Sequence, residues 1–215
     1  HDPIYWPVGG KLDFLAYSIS AEGAKGVTAK WDTEDASSAV VLDVPGENSQ
    51  NDILYASAYG IPSSQATEAV NLGFKHAQAW LEFELTGTPG AVKLERIVIE
   101  NVYNAGRLEL RNGNGRATAI WDFAGEYRKD ISVDNPTGVG ALGVDPQFLD
   151  MLLPQQAKTS FVIYYSEGTS PAVKKSHRID TDRKTWLMGE KYIYRINISA
   201  SEIAVSATST EMAAE

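Results

Sequence analysis

No cysteine occurs anywhere in the 215 residues. That absence removes disulfides, thiolate metal sites and cysteine nucleophiles together, and leaves the compartment open. Histidine is almost as scarce, with only His1, His76 and His177. None has the spacing of a zinc site, and none neighbours a serine in a nucleophile-elbow setting. Long apolar runs are missing too: nothing approaches the ~18 residues of a membrane-crossing helix. Positive charge is short, with 19 Lys and Arg against 28 Asp and Glu and a net charge of −9. An acidic surface repels phosphate backbones, and no basic stripe carries interleaved aromatics, so no nucleic-acid partner is expected. The imbalance is uneven. Residues 1–75 hold 4 basic and 10 acidic side chains, whereas residues 76–215 hold 15 and 18. No signal-type leader is expected in the sequence given, which opens at His1-Asp2-Pro3 straight into strand-like sequence. The expectation is a mature, processed or truncated product.

What is present is a foldable, strand-rich composition. Apolar residues make up 43% and charged residues 22%, which supports real cores rather than disorder. The first runs are short: Leu12 to Ser18 after Gly9-Gly10, then Val27–Trp31, Ala39–Val44 and Ile53–Tyr59. Turn formers separate them. Short strands at a spacing of about ten residues point to an antiparallel sandwich. Further on, Val92 to Ile99 reads as a longer strand with a phase slip at Glu95–Arg96. Leu108 and Leu110 alternate with Arg107, Glu109 and Arg111, followed by an Asn-Gly turn. Strands are then expected at Ala117–Phe123, Tyr127–Val133 and Thr159–Tyr165, and along Tyr192, Tyr194, Ile196 and Ile198. Pro146–Leu153 is the one place where helical spacing competes, through Phe148, Leu149, Leu152 and Leu153.

The stretch Val70–Leu85 organises the rest. Val70, Leu72 and Phe74 are apolar on even positions, whereas Ala77, Ala79, Leu81, Phe83 and Leu85 are apolar on odd ones. Each half alternates with period two, and the phase slips by one at His76–Ala77. A slip of one residue turns every following side chain to the other face. Either a bulge sits there or the chain leaves one sheet for another. The charge shift near the same place favours the second, with His76 and Ala77 as a structural junction. The expected domains are 1–75, an N-terminal β-sandwich truncated or processed at its start, and 76–215, a C-terminal β-sandwich.

No constellation for chemistry can be assembled. Asp32-Thr33-Glu34-Asp35 and Asp180-Thr181-Asp182 cluster oxygens as calcium prefers, but neither follows an EF-hand pattern, and loop acids are ordinarily just solvated. Gly9-Gly10 and Gly113–Gly115 lack the strand–loop–helix setting of a phosphate cradle. Nothing singles out a carboxylate pair for glycoside hydrolysis. No catalytic residue, metal or cofactor is expected. Two aromatics invite a binding reading. Trp80 lies in the outward phase beside Glu82 and Glu84, and Trp121 closes another strand; an exposed indole can stack on a sugar ring. Burial under a neighbour is the competing reading. At the other end, Ile203, Val205 and Ala207 alternate along a weakly apolar terminal segment. It can pair with an unfilled sheet edge of another subunit or complete its own sandwich.

Several stretches in order resemble the fimbrillins, subunits of donor-strand-polymerised pili. Asn71–Phe83, NLGFKHAQAWLEF, resembles their "L-x-F-x-H-A" strand joining two domains. Ile4–Ser18, with YWP and LDFLAYS, resembles a first-domain element, and Asp52–Ala56 (DILYA) the strand before the junction. Leu152–Gln156 (LLPQQ) and Trp186–Ile198 (WLMGEKYIYRINI) resemble second-domain elements. The resemblance implies an all-β fold of two consecutive Greek-key, transthyretin-like sandwiches and no enzyme activity. It also implies a lipoprotein precursor secreted to the cell surface and attached at the outer membrane, in a fimbrium. Partners would be other pilus subunits, with host or bacterial receptors or glycans as adhesion targets. Relatives usually carry several tens of residues before the YWP element. Either that part is removed here or the first domain is unusually small. A cell-surface carbohydrate-binding sandwich using Trp80 or Trp121 is the alternative.

Overall fold

The computed structural model describes residues 6, 8–19, 27–32, 39–44, 52–89, 92–113, 116–126, 128–134, 140–143, 147–153, 160–168, 172–180, 185–199 and 202–213. Sixteen strands and one short 3₁₀ turn, Ser63–Gln65, make up the regular structure among these residues. Their contacts fall into two compact units: residues 1–77, 106–124 and 213–215, and residues 78–105 and 125–212. The fold is an all-β sandwich architecture, as the short alternating runs predict.

The first unit holds two sheets. One orders β1 (Lys11–Ile19), β4 (Ile53–Pro62) and β5 (Lys75–His76). The other orders β2 (Thr28–Asp32), β3 (Ala39–Val44), β8 (Gly106–Gly113) and β9 (Arg116–Asp122), all antiparallel. Alternation decides the faces. Val40, Leu42, Leu108, Leu110 and Trp121 turn inward and are buried, while Arg107 and Asp43 meet outside at 3.0 Å. That hydrogen-bonded carboxylate holds the Arg107 guanidinium above its usual range. Between β1 and β4 the register shifts beside Asp13, whose Oδ1 accepts the Gly60 N–H at 2.8 Å. Gly60 sits at φ +65°, a conformation that glycine adopts without a Cβ penalty. The hairpin of β8 and β9 comes from the middle of the chain, yet it completes the first unit's sheet. A single division at 75/76 does not provide for that return.

The second unit is a four-stranded sheet, β12 (Gln147–Leu153), β6 (Ala79–Gly87), β15 (Glu190–Ile198) and β16 (Ile203–Glu211), with a five-stranded one. The latter orders β10 (Lys129–Asp134), β7 (Val92–Val102), β13 (Ser160–Glu167) and β14 (Val173–Asp180), and the short β11 (Gly140–Ala141) also pairs with β7. β6 and β15 run parallel; the other pairings are antiparallel. Leu81, Phe83 and Leu85 from one sheet and Ile97, Ile99 and Phe161 from the other form one fully buried core. At its centre Phe83, Phe161 and Tyr194 meet, with centroids 5.2, 5.7 and 5.0 Å apart. Gly87 stands where β6 runs beside β15. A Cβ there would lie 2.9 Å from the Ile198 carbonyl oxygen, so the close approach needs glycine.

The slip expected at Glu95–Arg96 is real: Tyr164 faces Arg96 and Tyr165 faces Leu94, leaving Glu95 as the extra residue of a bulge. Pro146–Leu153 is not helical over its described residues, for Gln147–Leu153 is strand β12, in register with β6 from Leu85 to Ala79. A sheet edge offering seven ladder partners outweighs a weak local spacing. Val70–Phe74 is irregular chain rather than strand, because only Lys75 and His76 find partners on β4, at Tyr55 and Leu54. β14 carries no apolar signal in its sequence. It is an exposed edge strand, held by its ladder to β13 and by ion pairs such as Arg178–Glu100 at 2.8 Å.

The buried Tyr192 phenol is where alkali is expected to act on the second unit. The Tyr192 hydroxyl accepts the Leu187 N–H at 2.9 Å and donates to the Thr185 carbonyl at 3.3 Å. Burial raises its pKa above the ordinary value of 10.0. A raised phenol pKa contributes stability that is complete below the unfolded value and is lost as pH rises through the folded one. Urea denaturation at pH 9 and pH 11 should show that loss, and Tyr192→Phe should make it smaller while lowering stability at pH 9.

Candidate functional site

The chain passes from strand β5 to strand β6 through two buried residues, Ala77 and Gln78. His76 belongs to β5 in the first unit's three-stranded sheet, and three residues later Ala79 opens β6 in the second unit. His76, Ala77 and Gln78 are all buried. The Ala77 N–H donates to the Ile53 carbonyl at 2.8 Å, and the Ala77 carbonyl accepts the Trp121 indole N–H at 2.6 Å. Buried backbone groups need partners, and here both are satisfied. The His76 ring lies between two oxygens, with Nδ1 2.8 Å from Asp52 Oδ2 and Nε2 3.2 Å from the Ala213 carbonyl. Nothing in the sequence marks Asp52 or Ala213 as its partners. An acid 24 residues before the histidine and an alanine 137 residues after it leave no local pattern to read.

The C-terminal segment has an unusual balance of interactions. β16 pairs with β15 along nine residues, from Ile198↔Ile203 to Glu190↔Glu211. Beyond the ladder it buries little: Ile203 is half-buried and packs on the core, and every later residue of the strand is exposed. Val205, 39% accessible, and Ala207 share the phase of Ile203 but are exposed. The strand is thus held mainly by main-chain hydrogen bonds, ending in Met212 N–H to Gly189 O at 2.7 Å.

Sheet edges in the first unit are open among the described residues. β1 pairs only with β4, and β5 covers only Leu54 and Tyr55 of β4. Backbone donors and acceptors along such an edge are a template for an added strand.

The two tryptophans do not form a platform. Trp121 is buried, its N–H is spent on Ala77, and its ring stacks on Phe123 at 6.2 Å. Burial excludes it as an exposed sugar-stacking group. Trp80 is half-buried, and the Lys191 ammonium, itself 2.6 Å from Glu82, sits 4.6 Å from the ring centroid. One ring face is thereby occupied. The same outer face continues with Arg195–Glu84 at 2.6 Å and Asn197 Nδ2 donating to Thr86 Oγ1 at 2.8 Å. A shallow, open hollow of about 340 Å³ lies beside them, reaching Ala204 and Ser206.

Metal-ligand clusters of three or more acidic or histidine side chains are absent among the described residues. His1, residues 33–35 and residues 181–182 lie outside those residues, so most of both acidic clusters is not described. His177 is on the exposed strand β14. No helix of the described residues is long and apolar enough to cross a membrane.

Open strand edges, a lightly held terminal strand and two sandwich units define a protein whose distinctive surfaces are backbone edges. A model of the fimbrillin-like family matches residues 1–211, and the chain belongs to that family. Among solved structures, it is similar to a fimbrial protein from Bacteroides vulgatus over 99% of this chain and 81% of that one, at 13% identity and a TM-score of 0.61. A protein assigned to cell adhesion from Bacteroides uniformis is similar over 98% and 76%, at 18% identity and a TM-score of 0.57. At such identities the likeness is one of fold. Comparison with curated proteins gives no match.

Proposed function

We propose that this chain is a structural and adhesive pilus component, a fimbria subunit or an accessory or tip member, that assembles by strand exchange. The observation that carries the reading is β16, whose nine ladder pairs coexist with almost no side-chain burial. Leaving such a strand's own sheet costs little apolar burial, and its hydrogen bonds can be remade on an equivalent edge. The open β1–β4 edge of a neighbouring subunit is the acceptor, with Ile203, Val205 and Ala207 as the side chains that gain cover. Family membership and the fimbrial and cell-adhesion relatives support the same role, without catalysis and at the cell surface. Outer-membrane attachment of a lipidated precursor follows the same reading, as do surface receptors or glycans as adhesion targets. The experiment deletes Ala200–Glu215 and, separately, changes Ile203 and Val205 to Asp, then follows polymer length by light scattering. Both variants should stop polymerisation. Unchanged polymers in both would remove β16 as the donated strand.

A further inference from the structure

We infer that His76 and Asp52 form a binding site for the main chain of the C-terminal segment, closed by a proton on His76 Nε2. The site is built entirely from residues of the first unit: Asp52, His76 and Ala213. The imidazole is 8% accessible and has an oxygen at each nitrogen, Asp52 Oδ2 at 2.8 Å and Ala213 O at 3.2 Å. Both oxygens can only accept when Asp52 is ionised. Two donors are therefore needed, and only the imidazolium has two. Neutral histidine has one proton to place. The carboxylate partner keeps it on Nδ1, since that bond is shorter and joins a charged acceptor. Nε2 is then bare, and its lone pair faces the lone pairs of the Ala213 carbonyl. Loss of the proton thus leaves the Asp52 contact intact and turns the Ala213 contact from attractive to repulsive.

The charges around the ring agree with that assignment. Asp52, on the approach to β4, is the charged group in contact with it, and its Oδ1 is buried with no partner among the described residues. Lys75, the neighbour on β5, belongs to the opposite face and is exposed. β4 carries no ionic side chain, only the phenols Tyr55 and Tyr59, both raised by burial. Asp122 at the end of β9 accepts the Ala124 N–H, and Glu211 at the end of β16 is exposed. The hydrogen bond to Ala213 lies just beyond the end of β16, and any opening of the segment that breaks it is favoured when the proton is lost. In an assembling subunit, release of the strand would become easier as pH rises. That consequence rests on the strand-exchange reading; the latch does not.

The test uses the full chain as a monomer, with amide hydrogen exchange across residues 203–213 at pH 5.5 and 8.0 expressed as protection factors. A hydrogen bond of ordinary net strength predicts protection about five- to tenfold lower at pH 8.0. His76→Gln, whose amide donates at either pH, should show no such change. Imidazole ¹⁵N NMR of the unaltered chain needs no variant: at pH 8.0 the remaining proton should be on Nδ1. Protection that is equal at both pH values in the unaltered chain, or a neutral ring protonated on Nε2, overturns the proposal. Polymerisation measured at the same two pH values separates the readings. If the latch titrates but polymerisation does not follow it, only the link to assembly fails.

Discussion

Phe83→Ala should lower the stability of the second unit by about 3–5 kcal/mol, the cost of truncating a large buried aromatic. Phe83 is fully buried on β6, at the middle of the sheet that β15 and β12 flank. Its ring meets Phe161 edge-on at 5.2 Å and stacks on Tyr194 at 5.7 Å. Deleting it removes apolar area and two ring contacts together, and the surrounding strands are pinned by ladders on both sides, so the cavity cannot collapse fully. The second unit's thermal transition should fall by roughly 10 °C or more. Val205→Ala is the control. Val205 is 39% accessible on the edge strand β16, and a surface change of this kind stays within about 0.5 kcal/mol. Equal shifts in the two variants would mean that the core of this unit is not centred on Phe83.

Phe83 and Val205 differ in burial, and burial is what makes a strand legible in its sequence. Alternation is a statement about faces, so by itself it locates the slip at His76–Ala77 and the bulge at Glu95. At Glu95 a buried face changes side, whereas at His76–Ala77 irregular chain gives way to the buried face of β6. It also locates Leu108 and Leu110 on a half-buried strand, but it carries no address. Nothing in the alternation of β8 and β9 says that β8 pairs with β3, more than sixty positions earlier in the register pair Asp43↔Arg107. That is why the hairpin's return to the first unit cannot be read from the sequence. β14 is unreadable for the opposite reason. An edge strand with a single half-buried side chain, Ile179, leaves no period in its sequence, and VKKSHRID is held mainly by backbone and ion pairs. Trp121 follows Ile120, so two adjacent apolar residues leave the phase undecided. The structure puts Ile120 outside, 49% accessible, and Trp121 inside. The His76 site is half legible: the phase slip marks the histidine as a junction, while its two oxygen partners are set by tertiary proximity alone.

Trp121 is also where the second large effect is expected. Trp121→Ala should cost the first unit about 3–5 kcal/mol, and Trp121→Phe about 1–3 kcal/mol. The indole is buried and stacks on Phe123 with the planes 3° apart. Gly106, at the start of the same hairpin, lies against both rings; a Cβ there would stand 3.0 Å from Phe123 and 3.2 Å from Trp121. The indole N–H meets the carbonyl of Ala77, the residue at which the chain leaves the first unit. Phenylalanine keeps most of the apolar volume but leaves that fully buried residue's carbonyl without its donor, the more expensive half of a broken hydrogen bond. The two variants therefore separate packing from hydrogen bonding at one position. Because residues 106–124 are a late insertion into the first unit's sheet, the pair also tests the topology. Equilibrium urea unfolding, followed by the fluorescence of the remaining tryptophans, should show the loss in the transition of the first unit, with Trp121→Phe intermediate. If Trp121→Ala leaves that transition unchanged and lowers only the transition that Phe83→Ala lowers, the hairpin belongs to the second unit after all.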